Sequence, residues 1–134
     1  MRLTIREDRV LQDVQGDFTT AYPFLKIEFF RNGMVRKDRY PLIALIPLSK
    51  HVKDAWFIKK QEGDVEIFDN MTVLELEKQF MDNFTLSVQV FRKSGSIWLE
   101  TTLTDRWTLK QQNDHGREIS TERKKPEREE YDYD

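Results

Sequence analysis

Ser87 to Thr102, SVQVFRKSGSIWLETT, decides the fold, because it is typical of a β-hairpin. Two runs of strand-forming residues flank Ser94-Gly95, a pair typical of a tight turn. With these two residues as the loop, the sequence predicts that Phe91 lies directly opposite Trp98. The hairpin is the reference from which we assign the neighbouring elements.

The predicted hairpin has two faces of different composition, because side chains alternate across a strand. One face carries the aliphatic residues of the hairpin, which are Val88, Val90, Ile97 and Leu99. The other face carries Phe91 and Trp98. A strand pair with one face in water is rarely apolar on both sides. We therefore expect that another segment covers the aromatic face or that a partner binds there.

Apolar spacing predicts two long helices. The first apolar stripe consists of Leu11, Val14, Phe18 and Tyr22, and the second of Val73, Leu76, Phe80 and Phe84. Asp8 is the predicted N-cap of the first helix, and Thr72 with Glu75 forms a capping box at the second. A third, short helix is predicted between Asp105 and His115, with a Thr108-Gln111 capping box and Gly116 as its C-cap.

The two halves of the chain repeat one pattern. Leu3 and Val65, like Phe18 and Phe80, are separated by 62 residues. With one residue removed, Phe30-Arg31 corresponds to Phe91-Arg92, and an Asp-Arg-aromatic-x-Leu segment follows each turn. The sequence therefore predicts an internal duplication, with repeats of about residues 1–48 and 63–116.

The predicted fold is α+β. The two strand-helix-hairpin units are expected to form one mostly antiparallel sheet of about six strands, with both long helices on one face, as in a ferredoxin-like sandwich. Residues 1–116 would form one domain. Residues 117–134, which contain five basic and seven acidic residues, are expected to be a disordered tail.

The middle of the first half is less regular. Asn32-Gly33 predicts a hairpin that returns through Met34 to Lys37. Pro41 and Pro47 restrict residues 40–48 to a short helical turn or a buried connector. In residues 49–62 the pattern fits either a helix or a strand, and we predict a strand at Ala55 to Lys59.

Composition limits the function classes. The chain has no cysteine, which excludes disulfides and thiolate chemistry and favours the cytoplasm. The first residues alternate as in a strand instead of forming an apolar run after a basic region, and no stretch approaches eighteen apolar residues. We therefore expect no signal peptide and no membrane span. The formal net charge of −2 gives no broad attraction toward nucleic acid.

No catalytic motif is present. His51 and His115 lack the spacing of a metal site, and there is no nucleophile elbow or phosphate-binding glycine loop. We therefore predict no metal, no cofactor and no catalytic residue. The acid and hydroxyl groups from Glu100 to Arg106 are the one place where a small ligand or a reaction is considered.

Six residues are the candidate binding residues: Phe30, Phe91, Trp98, Arg92, Arg106 and Asp105. Aromatic and arginine side chains are enriched at protein interfaces, which predicts a non-enzymatic interaction module that acts as a homodimer or binds another protein. Aromatic residues with nearby lysines also suit single-stranded nucleic acid, a disfavoured alternative because basic charge is not in excess. A small-ligand or enzymatic site near Asp105 is the second alternative.

Overall fold

The computed structural model describes residues 1–31, 44–56, 58 and 60–122. Within them the strands are β1 (Arg2–Ile5), β2 (Leu25–Phe30), β3 (Gly63–Glu66), β4 (Ser87–Ser94) and β5 (Ile97–Glu100). The helices are α1 (Leu11–Ala21), α2 (Val73–Phe84) and α3 (Leu109–Glu122). Short 3-10 turns lie at Val52–Asp54 and Thr102–Thr104.

These strands form two separate antiparallel sheets. β1 pairs with β3, and the second sheet has the order β2-β4-β5. The prediction of one ferredoxin-like sheet of about six strands with two long helices is therefore wrong, although the α+β class is consistent with the elements. β1 and β3 pair along their whole length, and reciprocal backbone bonds between Met1 and Ile67 extend the ladder. Each strand-helix-strand unit thus contributes its two strands to different sheets.

The hairpin loop lies one residue later than predicted, at Gly95-Ser96 instead of Ser94-Gly95. Lys93, not Phe91, lies opposite Trp98, and Ser94 lies opposite Ile97. Gly95 has φ of 67° and occupies the first position of the loop, where this tight hairpin turn requires positive φ. Glycine adopts that conformation without the steric cost that serine incurs. The shift moves every pair but leaves Phe91 and Trp98 on the same face.

The helix starts follow local hydrogen bonding. The predicted capping box of α2 is confirmed, because Thr72 Oγ1 accepts from Glu75 N and Glu75 Oε1 accepts from Thr72 N. The N-cap prediction for α1 is wrong, because the helix begins at Leu11 after Val10 rather than after Asp8. The N–H groups of Leu11 and Gln12 donate to carbonyls of residues 50 and 48 instead. A neighbouring loop therefore replaces the expected side-chain cap.

α3 continues through Gly116 to Glu122, so residues 117–122 are helical rather than part of a disordered tail. The predicted Thr108-Gln111 capping box is confirmed. Gly116 is needed for close packing instead of a cap, since a Cβ there would lie 2.9 Å from Cβ of Phe24. Residues 123–134 lie outside the described part of the chain.

The strand predicted at Ala55 to Lys59 is wrong over its described residues. A 3-10 turn at Val52–Asp54 precedes it, and Val52 and Ala55 are buried. Of the predicted connector at 40–48, Ala44 and Ile46 are buried. The hairpin predicted at residues 32–37 and the segment of residues 38–43 lie outside the described residues.

One hydrophobic cluster joins both sheets and the helices. The predicted stripes of α1 and α2 are buried in it, together with Leu3, Ile5, Val65 and Ile67 from the two-stranded sheet and its extension. Two chain halves have the same strand-helix-strand order, and β1 pairs with β3 as β2 pairs with β4. The internal duplication itself stays a prediction.

We predict that Gly116→Ala lowers the free energy of unfolding by about 2 kcal/mol, because the methyl group would separate α3 from Phe24 and β4. Gly16→Ala is the matched control. Nothing lies within 4 Å of a Cβ at that exposed helical position, so this change should add about 0.5–1 kcal/mol. Urea denaturation measures both, and equal effects would contradict the packing role of Gly116.

Candidate interaction surface

The β4–β5 hairpin positions the candidate surface. β4 is the central strand, and β5 is the edge strand of its sheet. Beyond the β4 ladder, no hydrogen bond links β5 to any other described residue. Ile97 is 56% exposed and Leu99 is 39% exposed. We call Ile97–Glu100 the β5 edge, and it combines an open hydrogen-bonding edge with exposed apolar side chains.

The aromatic face lies beside this edge and is organised by lysines. Lys26 on β2 lies opposite Phe91, and its Nζ is 5.7 Å from the Phe91 ring centroid and 4.9 Å from that of Trp98. Lys93 Nζ lies 5.9 Å from the Trp98 centroid. Lysine over an aromatic face is attractive. Trp98 is therefore held in place by two cations while remaining partly exposed.

Phe30 shares this face but does not belong to the accessible surface. Phe30 is 1% exposed, and its backbone forms an isolated antiparallel β-bridge with Leu45. Arg31 N donates to the Ala44 carbonyl at 2.7 Å, which holds this segment beside the edge of β2. Of the two aromatic residues related by the predicted duplication, only Phe91 is partly exposed.

Arg92 lies on the opposite face of the sheet, under α3. Its Nη1 donates to Gln112 Oε1 at 2.7 Å, and the guanidinium lies 5.7 Å from the Trp107 ring. Burial lowers the pKa of Arg92, and its Nε has no hydrogen-bond partner in the described part of the chain. Arg92 therefore fastens α3 to β4 and is separated from the Phe91/Trp98 face.

Asp105 and Arg106 lie in the turn before α3, away from the hairpin loop. The Asp105 carbonyl accepts from Leu74 N at 2.8 Å, and Arg106 is exposed. Within the acid and hydroxyl cluster of the sequence, Thr101 Oγ1 donates to the Val90 carbonyl, and Thr104 accepts from Gln112. These bonds connect elements of the fold. Of the six predicted site residues, the structure therefore brings together Phe91 with Trp98 and Asp105 with Arg106, whereas Phe30 and Arg92 lie apart from both pairs.

Glu77 is a partly buried acid that sequence reasoning did not identify. Its Oε2 accepts from Val90 N at 3.0 Å, where β5 no longer pairs with β4. Burial, and then the negative charge of Asp105, raise the pKa of Glu77 to about 8, against the lowering effect of the Val90 bond. In the sequence, Glu77 looks like any glutamate beside the apolar stripe of a helix, so no local signal identified it.

Among the open cavities of the described surface, two are lined by charged, polar and tryptophan side chains. One of about 440 Å³ is lined by Glu7, Trp56, Lys60, Gln61 and Glu62. A second of about 300 Å³ is lined by Trp107, Gln111, Asp114, His115 and Glu118. In the described ranges no three acidic or histidine side chains are grouped so that they could hold a metal ion. No helix in those ranges has the length and hydrophobicity needed to cross a bilayer.

We predict that Glu77→Gln removes a pH dependence of stability. The folded pKa of about 8 exceeds the ordinary value of 4.5, so between these values the folded chain holds a proton that the unfolded chain has lost. Stability contributed by Glu77 is therefore full below pH 4.5 and is lost as pH rises to 8, by up to about 1.4 kcal/mol per pH unit. Urea denaturation from pH 5 to 9 measures this slope.

Asp105→Asn is the companion variant. Because the Asp105 charge raises the pKa of Glu77, its removal should move the end of the sloping range to lower pH without abolishing the slope. If the wild type and Glu77→Gln have the same pH profile, the carboxyl of Glu77 titrates as it would in water, and the assignment is wrong.

Comparisons with known proteins add no relative. No protein-family model, no curated protein and no solved structure matches the chain. A function is therefore inferred from the contacts and exposure of its own residues.

Proposed function

We propose that this chain is a non-enzymatic protein-interaction module of the cytoplasm that forms a homodimer through the β5 edge and the adjoining Phe91/Trp98 face. The observation that carries the proposal is that no strand in the described ranges pairs with the outer side of β5, where Ile97 is 56% and Leu99 39% exposed. An edge strand presents unpaired N–H and C=O groups that another strand can bind. Burial of its apolar side chains would add to that affinity.

The sequence of β5 is self-complementary. When two copies pair antiparallel about a twofold axis, the same patch meets itself. With Trp98 opposite its own copy, Ile97 of each chain lies opposite Leu99 of the other. Both cross-strand pairs on one face are then aliphatic, and on the other face two tryptophans meet between two Lys93 side chains. Such aliphatic and aromatic pairs are favourable cross-strand contacts.

The proposed dimer joins two sheets into one of six strands. β5 has four residues, so the area that it can bury is smaller than the roughly 800 Å² per partner of a standard stable interface. We therefore expect a dissociation constant in the micromolar range or weaker. No rearrangement of the described strands is required, because none of them pairs with the outer side of β5.

Single-stranded nucleic acid is the alternative ligand for the same face. Base stacking requires an accessible aromatic plane, but Lys26 lies 4.9 Å from the Trp98 ring centroid and also pairs with Glu28 at 2.9 Å. A base would have to displace Lys26, which already contacts Phe91, Trp98 and Glu28. These contacts favour the protein interface, and salt-dependent tryptophan quenching by an oligonucleotide would favour nucleic acid instead.

A small-ligand or enzymatic site near Asp105 has less support. The threonine hydroxyls at positions 101 and 104 and the Asp105 carbonyl already hold together β4, α2 and α3. A ligand would compete with these bonds. Thermal-shift screening with Asp105→Ala as control tests for such a ligand.

We predict that Ile97→Lys weakens self-association by about tenfold or more, because lysine on an edge strand opposes strand addition. The residue is already 56% exposed, so the monomer should remain folded. Sedimentation equilibrium up to high micromolar concentration gives the dissociation constants.

Leu103→Lys is the matched control. It adds the same charge at a residue that is 99% exposed and lies outside β5, so association should change little. A wild-type chain that stays monomeric throughout the concentration range contradicts the homodimer, as does an equal loss in both variants.

A further inference from the structure

The end of α3 lies beside the hairpin turn. Ser120 Oγ accepts from Gly95 N at 3.1 Å and lies 3.5 Å from the Lys93 carbonyl. Since α3 ends at Glu122, the following chain starts close to the turn where β5 begins. A segment that leaves this point and follows β5 would run parallel to it.

The sequence that follows is long enough to reach the whole edge. Residues 123–134 comprise twelve residues, which span up to about 40 Å when extended. The four residues of β5 span only about 13 Å. The connection from β5 through α3 also exceeds the dozen residues that a parallel pairing requires.

The composition of that segment complements the β5 edge. Between Glu127 and Asp134 there are five acidic residues and one basic residue. Tyr131 and Tyr133 alternate with aspartates, which in a strand places both rings on one face. The described carboxylates form no ion pair with Lys93, which is next to Trp98. Lys93 lies on the same face as Trp98. The tyrosines can therefore contact Trp98, while Glu127 and Glu129, which share the tyrosine face by alternation, approach Lys93.

We propose that residues 127–134 dock on the β5 edge of their own chain and thereby compete with a second copy for that edge. The competition rests on the proposed function, whereas the docking does not. The tail is then an intramolecular regulator of dimerisation, because each edge can accept only one additional strand.

The docking is tested in the full-length chain by paramagnetic relaxation. Because the sequence contains no cysteine, Asp132→Cys gives a single site for a nitroxide label. At a concentration where the chain is monomeric, docking predicts loss of amide signal intensity along Ile97–Glu100 and at the Trp98 indole. Mixing labelled chains with unlabelled isotope-enriched chains separates contacts within one chain from contacts between chains.

Tyr131→Ser combined with Tyr133→Ser, carrying the same label, is the matched control. This variant retains every charge of the tail, and docking predicts that the β5 intensities recover. If β5 intensities are equal with and without the tyrosines, or if only Gly95 and the last turn of α3 lose intensity, the docking proposal is wrong.

Association measurements distinguish the two proposals. Competition predicts that the unlabelled double tyrosine variant dimerises at least several-fold more tightly than the wild type. An unchanged dissociation constant overturns the competition and leaves the dimer intact. If neither chain dimerises but the label still broadens β5, the dimer is wrong and the docking is supported.

Discussion

The central position of β4 is the constraint on which the rest of the sheet and the candidate surface depend. β4 pairs with β2 over six residues on one side and with β5 over four residues on the other, and both α2 and α3 pack against it. Arg92, held by Gln112, and Gly116, which allows close approach, secure α3 to this strand. The first strand of the hairpin is therefore held by β2, by α2 and by α3.

The way in which β5 ends explains why its edge is open. Beyond Glu100 the partners of β4 are side chains, because Glu77 accepts from Val90 N and Thr101 donates to the Val90 carbonyl. These groups replace a longer fifth strand. The chain then turns toward α3 on the face opposite Trp98, so no described segment pairs with the outer side of β5.

Much of the local structure could be predicted from the sequence, whereas the pairing of distant strands could not. The capping boxes at Thr72 and Thr108 depend on residues three positions apart, and both are confirmed. The choice of β3 as the partner of β1 depends on contacts across the chain, which periodicity does not encode. α3 passes Gly116 because of a contact with Phe24, and a glycine that permits close packing looks the same in sequence as one that caps a helix.

The candidate site was predicted only in part. Alternation correctly placed Phe91 and Trp98 on one face even though the register was wrong. The residue opposite Trp98 is Lys93, two positions from Phe91, and residues two positions apart in a strand share a face. Phe30 is buried and Arg92 faces α3, and both placements depend on contacts between residues that are far apart in the sequence. Glu77 was missed because its burial arises from tertiary packing. Exposure of the edge itself became apparent only when the sheet order was known.

Amide hydrogen exchange of β5 across a range of protein concentrations tests the central claim most directly, since it observes the proposed edge itself. Pairing with a second copy predicts that β5 amides not bonded to β4 become protected as concentration rises, while amides of β2 and α2 keep their rates. Exchange of those β5 amides at the same rate at every concentration would contradict the account.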